Sequence, residues 1–421
     1  MRIAHLLRKY DLAEWGGTET AICQLTSGLR SHGAESLVYA PRIDGADPGA
    51  EWAFAEGERP VRRFRAWMPV WRMEPERKRK LLAVGGNLLS FDLFGSLLAE
   101  PELDVIHSHA LGRIGAIGRT VAGWRRVPFV VTIHGGVYDL SAQVRASLHD
   151  SSSKGWDWGR PFGMLLRARQ LLSEADAVIT CNAREAELIS ERHPGRRVLI
   201  QPHGIPAARY SADQRTAALS AFPAVAGREL FVVVGRIDPV KNQRWLVDQA
   251  ADLVRRHPQL LVALVGPCTD RAYGDELEAA IAARGLRNHV LLAGRLPPGD
   301  PRLIGLLQLA RSVVVPSLSE TFGLVILEAW AAGTPVLSSR TSGARGLVED
   351  GVTGRLFDLD DPAAFHAAAD RFLAEPAEGS LMGAEGRRRV FAEFDTGILA
   401  GRMLRLYEEL IRNRHALRHS A

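Results

Sequence analysis

The sequence predicts an α/β protein made of two doubly wound domains, each a parallel sheet covered by helices. Strand-like apolar runs alternate with helix-like segments along the chain of 421 residues, which is typical of parallel sheets. The alternation is interrupted by prolines and a glycine at residues 202–206, and it then starts again. A chain of this length accommodates two domains.

The first half carries short apolar runs that predict strands at residues 3–7, 37–40, 105–107, 129–133, 178–181 and 198–201. Helices are predicted between them, among others at 19–31 and 183–192. The second of these has Asn182 at its N-cap and Glu185 three residues later, a variant of the capping box. We place the first domain at residues 1–205.

The second half repeats the pattern, with strands predicted at 230–234, 261–265, 290–293, 313–315 and 336–338. A helix is predicted at 243–257, because residues at helical spacing fall on one face: Leu246, Ala250, Leu253, Val254 and His257. The second domain is placed at 206–394. The last segment, 395–421, predicts a helix that packs back on the first domain.

Composition places the chain among soluble globular proteins, with 46% apolar and 24% charged residues. Residues 1–7 hold too short an apolar run for a signal peptide, and no run approaches the ~20 apolar residues of a membrane span. Cys23, Cys181 and Cys268 have no metal-site spacing, which predicts reduced thiols in a cytoplasmic protein. The net charge of +5 permits an anionic partner, whether phosphorylated ligand, acidic lipid or nucleic acid.

Two carboxylates follow the predicted strand 313–315, at the edge where ligands of open α/β sheets bind. Glu320 lies in a polar turn, and Glu328 lies eight residues later on a helix predicted at 324–332. The acid and base of a glycosidase lie about 5–9.5 Å apart, whereas eight residues of helix span ~12 Å. The spacing favours separate contacts, in which each acid accepts hydrogen bonds from hydroxyls at a different part of one extended ligand.

Two glycine-containing turns are candidate phosphate sites. Segment 235–242 follows a strand and offers Arg236 and Lys241 to a diphosphate, with an ordinary basic turn as the alternative. At Gly16 and Gly17 the backbone N–H groups can approach an anion at a helix start, or the pair is a simple turn. Neither segment has the spacing of a P-loop or of the Gly-x-Gly-x-x-Gly motif, which disfavours a nicotinamide cofactor.

Histidines end several predicted strands. His134 follows strand 129–133 before two glycines, where it suits a hydrogen bond to a ligand or a structural role. His107 and His109 end the preceding strand and are predicted to line a polar site rather than to bind a metal. His203 is predicted to pack or cap near the domain boundary. An acidic cluster at 358–361 precedes a proline, which predicts a helix N-cap and no metal site.

Two further segments have more than one interpretation. From Arg59 to Lys80 the chain carries nine Arg or Lys residues and two Trp against two Glu. This segment suits a solvated basic face, a peripheral contact with acidic membrane lipid at the inner face of the membrane, or an acidic acceptor. Residues 151–158 predict a loop with Trp156 and Trp158, which suit either sugar stacking or core packing.

Several short motifs, in this order and spacing, resemble those of the retaining glycosyltransferases of family 4. They are GGTE at 16–19, TIHG at 132–135, GR at 235–236 with KN at 241–242, ETFGLVILE at 320–328, AGTPV at 332–336 and GVTG at 351–354. The resemblance covers nearly the whole chain. It implies the GT-B fold, in which two Rossmann-like domains flank a cleft, the first binding the acceptor and the second the nucleotide-sugar.

The resemblance also implies a role for each matched residue. Arg236 and Lys241 hold the diphosphate, Glu320 the donor sugar, Glu328 the ribose, and His134 faces the sugar. The implied catalytic residues are His134, Arg236, Lys241 and Glu320. The implied donor-binding residues are Gly16, Gly17, Arg236, Lys241, Glu320, Thr321, Phe322, Gly323, Leu324 and Glu328. Departures are His203, where relatives often have Asn, and Asn242, where Gly is common.

The implied reaction moves a sugar from a nucleoside-diphosphate donor, UDP before GDP, to an acceptor hydroxyl with retention. The donor is a co-substrate, and neither a cofactor nor a metal is expected. The acceptor stays open among a saccharide, a lipid-linked saccharide and a small metabolite, as in glycan, exopolysaccharide or glycoconjugate biosynthesis. A nucleic-acid partner is not expected. The alternatives are a nucleotide-sugar epimerase or hydrolase of the same fold and a non-catalytic binder of an anionic ligand.

Overall fold

The computed structural model describes residues 1–10, 15–42, 61–74, 78, 81, 86–139 and 156–419. The chain divides into two compact units. Unit 1 comprises residues 1–203 and 396–421, and unit 2 comprises residues 204–395. The sequence-based boundary at 205 lies two residues beyond the last residue of the first stretch of unit 1. None of the helices in the described ranges is both long and apolar enough to cross a bilayer.

Unit 1 contains a seven-stranded parallel sheet in the order β3-β2-β1-β5-β6-β8-β9. Its strands are β1 Arg2–Leu6, β2 Glu35–Arg42, β3 Arg62–Arg65, β5 Val105–Ser108, β6 Phe129–Ile133, β8 Ala177–Thr180 and β9 Val198–Ile200. A separate antiparallel pair joins β4 Val70–Trp71 to β7 Trp156–Asp157. The described helices are α1 Gly17–Ser31, α2 Asp92–Ala99, α3 Gly112–Arg125, α4 Arg160–Leu165, α5 Leu171–Glu174, α6 Ala183–Arg192 and, from the end of the chain, α16 Thr396–His419.

Unit 2 contains a six-stranded parallel sheet in the order β12-β11-β10-β13-β14-β15. Its strands are β10 Glu229–Val234, β11 Leu260–Val265, β12 Val290–Gly294, β13 Ala310–Val315, β14 Val336–Ser339 and β15 Gly354–Phe357. Its helices are α7 Ala207–Ser211, α8 Arg215–Ala221, α9 Gln243–Arg256, α10 Arg271–Ala283, α11 Pro301–Leu309, α12 Leu324–Ala331, α13 Ser342–Leu347, α14 Pro362–Ala374 and α15 Pro376–Arg389. The predicted α/β class with two doubly wound parallel sheets is confirmed.

Helix α9 shows how local sequence fixes an element and where it stops. Leu246, Ala250 and Leu253 on its apolar face are fully buried in the core of unit 2. His257, predicted to continue that face, lies just beyond the helix end instead. Its Nε2 atom is 2.8 Å from Oδ1 of Asp370, because an imidazole gains more from a carboxylate than from an apolar core.

Helix α16 belongs to unit 1 and packs against α1. The contact is close at Gly28, where a Cβ atom would lie 2.6 Å from Cβ of Ala400 and 2.8 Å from the carbonyl oxygen of Thr396. Tyr407 of the same helix reaches Nδ1 of His107 at 2.6 Å. The C-terminal helix therefore supports the strand that leads to the histidines of unit 1.

The two predicted helix N-caps, Asp361 and Asn182, are confirmed. Oδ1 of Asp361 accepts a hydrogen bond from the Ala364 N–H at 3.1 Å, which makes it the N-cap of α14. Asn182 caps α6 through the N–H of Glu185 at 2.8 Å. The acidic cluster at 358–361 therefore has a structural explanation in the helix start.

Candidate active site

The turn after β10 presents the two cations of the predicted phosphate site. Arg236 pairs with Asp238, with Nη2 and Oδ2 separated by 3.0 Å. The other carboxylate oxygen of Asp238 accepts the backbone N–H of Lys241 at 3.0 Å. Asn242 follows in the left-handed region with φ of 55°, a conformation that asparagine adopts more readily than most residues. This explains how asparagine replaces the glycine that is common at the position.

The structure brings Lys241 and Glu320 into direct contact. Nζ of Lys241 lies 2.5 Å from Oε2 of Glu320, and the two side chains are 22% and 16% exposed. An ammonium group has three donors and a carboxylate has two acceptor oxygens, so the pair leaves donors and an oxygen for a ligand. The turns also meet through their backbones, because the Leu318 N–H donates to the Val240 carbonyl at 2.8 Å.

The turn that carries Glu320 is shaped by two glycines. Gly323 has φ of 99° at the N-cap position of α12, in the left-handed region that favours glycine. Gly343 packs directly behind the turn, and its N–H donates to the Glu320 carbonyl at 2.8 Å. A Cβ atom at Gly343 would lie 2.6 Å from the backbone nitrogen of Phe322. The predicted residues Thr321 to Leu324 therefore stand at the N-terminus of α12, where anions and hydroxyls are favourably bound.

Glu328 lies on α12 in a different environment from Glu320. Its side chain is buried, and its Oε1 accepts the hydroxyl of Tyr210 on α7 at 2.8 Å. Burial raises the pKa of Glu328 to about 7, against the opposing effect of the Tyr210 hydrogen bond. Burial first, and then the charge of Glu328, raise the pKa of Tyr210 well above 10, so the tyrosine remains a donor.

The histidines of unit 1 form a hydrogen-bonded chain. Nδ1 of His5 lies 3.0 Å from Nε2 of His109, and Nδ1 of His109 lies 2.8 Å from Nε2 of His134. The ring of His203 stacks on His134 at 5.0 Å between centroids, so its predicted packing role is confirmed. Burial lowers the pKa of His134 and of its neighbours in the chain, which keeps the imidazoles neutral.

Neutral imidazoles in such a chain have linked tautomers. Each neutral ring has one N–H donor and one acceptor, so the direction of one bond fixes the next. If His109 donates to His134, then His5 must donate to His109. If His134 donates to His109 instead, His109 must donate to His5, and each of the three rings takes its other tautomer. The tautomer of His134 is therefore set partly by residues that lie beneath it in the sheet.

His107 occupies a position that differs from its prediction. We expected His107 and His109 to line a polar site, but His107 is fully buried and bonded at both nitrogens, to Tyr407 at 2.6 Å and to Thr132 at 2.7 Å. The potential ligand atoms of His5, His107 and His109 lie within 4.8 Å of one another. A metal there would have to displace these existing hydrogen bonds, so the geometry favours the hydrogen-bonded chain.

A cavity of about 290 Å³ opens at the same edge of the unit 1 sheet. Thr132, His109 and His134 line it, together with Arg8 from the connection between β1 and α1 and Thr18 from the first turn of α1. Nε of Arg8 is buried and makes no hydrogen bond within the described ranges. The N–H of Gly16, predicted to approach an anion, donates instead to Oε2 of Glu19 at 3.0 Å.

Three residues important to these sites were not predicted to belong to them. Tyr210 bonds Glu328, Arg8 faces the unit 1 cavity, and Glu185 supports the loop after His134. The Glu185 carboxylate accepts the N–H groups of Val137 and Asp139 at 2.9 and 2.8 Å. The sequence indicated Glu185 only as part of a helix cap, because its partners are far away along the chain.

The segments with open interpretations are partly described. Of residues 59–80, residues 61–74 and 78 are described, and Arg62–Arg65 form the edge strand β3. Arg62 pairs with the buried Glu100, so part of the basic charge is structural. Of residues 151–158, residues 151–155 lie outside the described ranges, and Trp156 stands exposed on β7.

Comparison with protein families decides the class of protein. Residues 16–204 match the model of the glycosyl transferase 4-like domain, and residues 216–389 match that of the glycosyl transferases group 1. The chain belongs to glycosyltransferase family 4. The enzyme class, a transferase of glycosyl groups, follows from this membership, and the two matched regions correspond to the two units.

Individual glycosyltransferases resemble this chain over most of its length. The D-inositol 3-phosphate glycosyltransferase of Frankia alni is 33% identical over 331 residues, which cover 76% of this chain and 75% of that protein. The enzyme of the same name from Nocardia farcinica is 35% identical over 262 residues, 60% of this chain. That match spans just over half of the Nocardia protein, 55%.

Solved structures show the same fold. HepE of Anabaena, in complex with UDP-glucose, superposes with a TM-score of 0.71 and 19% identity over 97% of this chain and all of that chain. Sucrose-phosphate synthase of Thermosynechococcus elongatus gives a TM-score of 0.71 at 24% identity, covering 98% of this chain and 99% of that one. The predicted GT-B fold class is thereby confirmed.

Proposed function

We propose that this family 4 member transfers a sugar from a nucleoside-diphosphate-sugar to an acceptor hydroxyl with retention of configuration. The observation that carries the proposal lies in unit 2. The cationic turn with Arg236 and Lys241 follows β10, and the turn with Glu320 follows the neighbouring strand β13. The two turns meet in the Lys241–Glu320 pair, with the buried Glu328 further along α12. These groups match a ligand that has hydroxyls for Glu320, a diphosphate for the two cations, and further hydroxyls for Glu328.

In the proposed reaction the sugar–diphosphate bond breaks, and the acceptor oxygen bonds to the same carbon on the same face. The acceptor proton passes to an oxygen of the leaving diphosphate. Arg236 and Lys241 offset the charge that develops on the diphosphate, and they are preorganised for it by Asp238 and Glu320. The proposal uses these cations in place of a metal.

UDP is the nucleotide we propose first. The solved structure of HepE contains UDP-glucose, and that protein shares the fold of this chain. GDP remains the second choice, because Glu328 would accept ribose hydroxyls from either nucleotide. The base-binding residues are the part of the site that decides between them.

We propose that the acceptor binds in the unit 1 cavity and carries a negative charge. Arg8 lines the cavity, and no carboxylate is present among the described residues that line it. The relatives from Frankia and Nocardia are named for a phosphorylated acceptor, D-inositol 3-phosphate. Inositol 3-phosphate and unphosphorylated inositol therefore form a matched pair of trial acceptors for wild type and Arg8→Gln.

The first experiment is a thermal-shift screen with UDP, GDP and their sugars. A ligand at about 100 Kd stabilises a protein by ~2.7 kcal/mol, which is readily measured. Labelled UDP-glucose without acceptor then tests for hydrolysis or epimerisation. Loss of transfer in Lys241→Ala and Glu320→Ala, with the melting temperature retained, supports the proposal. Absence of any nucleotide-induced shift, or unchanged function in both variants, would favour a non-catalytic binding protein.

A further inference from the structure

The described part of unit 1 carries an exposed apolar surface that the proposed reaction does not use. Six large side chains form it, and we call them the apolar patch: Trp67, Trp71, Phe91, Trp156, Met164 and Leu165. Their exposed fractions range from 39% for Trp67, through 61% for both Trp71 and Trp156, to 78% for Met164 and Leu165. Scattered apolar residues are common on protein surfaces, but a contiguous group indicates an interaction site.

Ring contacts join the aromatic members of the apolar patch into two groups. Trp71 and Trp156 face each other across the β4–β7 pair, with ring centroids 5.2 Å apart. Trp67 contacts Phe91 at 6.2 Å, and Phe91 contacts Phe162 at 5.6 Å. Phe162 lies on α4 just before the exposed Met164 and Leu165. The two groups are neighbours along the chain, because α4 begins three residues after β7 and Trp67 lies three residues before β4.

The apolar patch rests on a rigid support. The buried Arg113 donates to both carboxylate oxygens of Asp157, at 2.6 and 2.5 Å, and to the Asn87 carbonyl at 2.7 Å. At Gly159, directly before α4, a Cβ atom would lie 2.5 Å from Cγ of Pro69. The ion pair of the buried Arg113 with Asp157 and the close packing of Gly159 against Pro69 hold β7 and α4 in place, so the exposure is a property of the fold.

Basic residues neighbour the members of the apolar patch along the chain. Arg65 and Arg72 flank Trp67 and Trp71 in the chain, and Arg160 opens α4. All three are exposed, and none forms an ion pair with another residue of the described ranges. Between residues 59 and 80 nine basic residues stand against two glutamates. Aromatic rings with neighbouring cations are typical of surfaces that meet the headgroups of anionic lipids.

We propose that unit 1 binds the surface of an anionic lipid bilayer through the apolar patch. Met164, Leu165 and the Trp71–Trp156 pair enter the interfacial layer, and the neighbouring arginines contact lipid phosphates. Apolar insertion and electrostatic attraction act together, because neither a few apolar side chains nor a few charges bind a membrane firmly alone. Binding therefore requires anionic lipid and weakens as salt screens the charges. It does not depend on which sugar the protein transfers.

The test uses the full chain and extruded vesicles of phosphatidylcholine, with and without phosphatidylglycerol. Cosedimentation gives the partition coefficient, and tryptophan emission reports transfer of indoles into the interface. The test variant is Met164→Ser combined with Leu165→Ser. The control is Leu381→Ser on α15 of unit 2, whose side chain is similarly exposed at 74% but lies outside the apolar patch. Melting temperature and UDP binding of both variants establish that the fold and the donor site are intact.

We expect binding to phosphatidylglycerol vesicles that falls at high salt, and a loss of at least about tenfold in partition coefficient for the double variant. The Leu381→Ser control should bind as wild type does. Equal binding by the double variant, or no binding to anionic vesicles at low salt, overturns the proposal. A wild-type dimer that the double variant abolishes, without vesicle binding, also overturns it and assigns the apolar patch to self-association.

Discussion

The buried carboxyl of Glu328 gives a prediction that connects the structure to ligand binding through pH. Its pKa is raised from 4.5 to about 7 by burial. Ribose hydroxyls are donors, so they bind the ionised carboxylate better than the protonated acid. If the ionised form alone binds, the affinity for the ribose should fall about tenfold, or ~1.4 kcal/mol, for each pH unit below about 7. Above that pH the affinity should be constant.

The measurement is a calorimetric titration with uridine at a series of pH values. Uridine carries the ribose diol without phosphates, so its own ionisation does not contribute in this range. Below pH 7, binding should also release a proton, which repeated titrations in buffers of different ionisation enthalpy detect. Glu328→Gln keeps the shape of the side chain without titrating and should give weak, pH-independent binding. A wild-type profile as flat as that of the variant would refute the reasoning.

Tyr210→Phe provides a matched perturbation of the same carboxyl. The Tyr210 hydroxyl donates to Glu328 at 2.8 Å and thereby favours the ionised form. A hydrogen bond to a charged group contributes ~1.5–3 kcal/mol, which corresponds to about one or two pH units. The inflection of the uridine profile should move upward by that amount in Tyr210→Phe. An inflection that stays in place would show that the hydrogen bond does not control the carboxyl.

The same shift predicts how stability depends on pH. In the unfolded chain Glu328 ionises near 4.5, whereas in the folded chain it holds its proton to about 7. The folded state therefore binds more protons between these values, and the free energy of unfolding should decrease by about 3 kcal/mol from this group as pH rises through that window. Glu328→Gln should lose this part of the pH dependence.

Three further predictions concern the other groups of the two sites. Lys241→Met should lower UDP affinity at least about tenfold by calorimetry with little change in melting temperature, since the ammonium serves the diphosphate. Gly343→Ala should lower both kcat/KM and melting temperature, because its methyl group meets the backbone of the turn before α12, whereas Gly346→Ala has open space and should be neutral. His109→Phe should lower the free energy of unfolding by ~1–3 kcal/mol by denaturant titration and change the ¹⁵N shifts of His134, because it removes a partner from the hydrogen-bonded chain. Unchanged His134 shifts would contradict the linked-tautomer interpretation.

The sequence predicted best the strands that are buried on both faces, because such strands consist of consecutive apolar residues. All six residues of β11 are buried, as expected for a central parallel strand covered on both faces. The edge strand β3 was not predicted. Its sequence is RRFR, and only Phe64 is buried, because edge strands carry charges that hide the apolar signal.

The site residues near strand ends could be predicted because the strand, the turn and the glycine that identify them lie within one short segment of sequence. The turn with Glu320 and the start of α12 follow from a strand, a polar turn and a glycine in sequence. Tyr210, by contrast, lies 118 residues before Glu328, and nothing in its local sequence indicates that contact. The same holds for Gly343, whose importance comes from the backbone that packs against it.

A carboxyl with a pKa near 7 is also what a general acid needs, so the raised pKa alone does not assign a role to Glu328. The two roles predict opposite pH effects. A general acid loses activity when it loses its proton, so the rate constant would fall above pH 7. A ribose ligand gains affinity when it loses its proton, so binding would strengthen over the same range. The burial of Glu328 against Tyr210, in contrast to the partly exposed Lys241–Glu320 pair, favours the second outcome. A rate constant that falls above pH 7 in wild type but not in Glu328→Gln would therefore reverse the assignment.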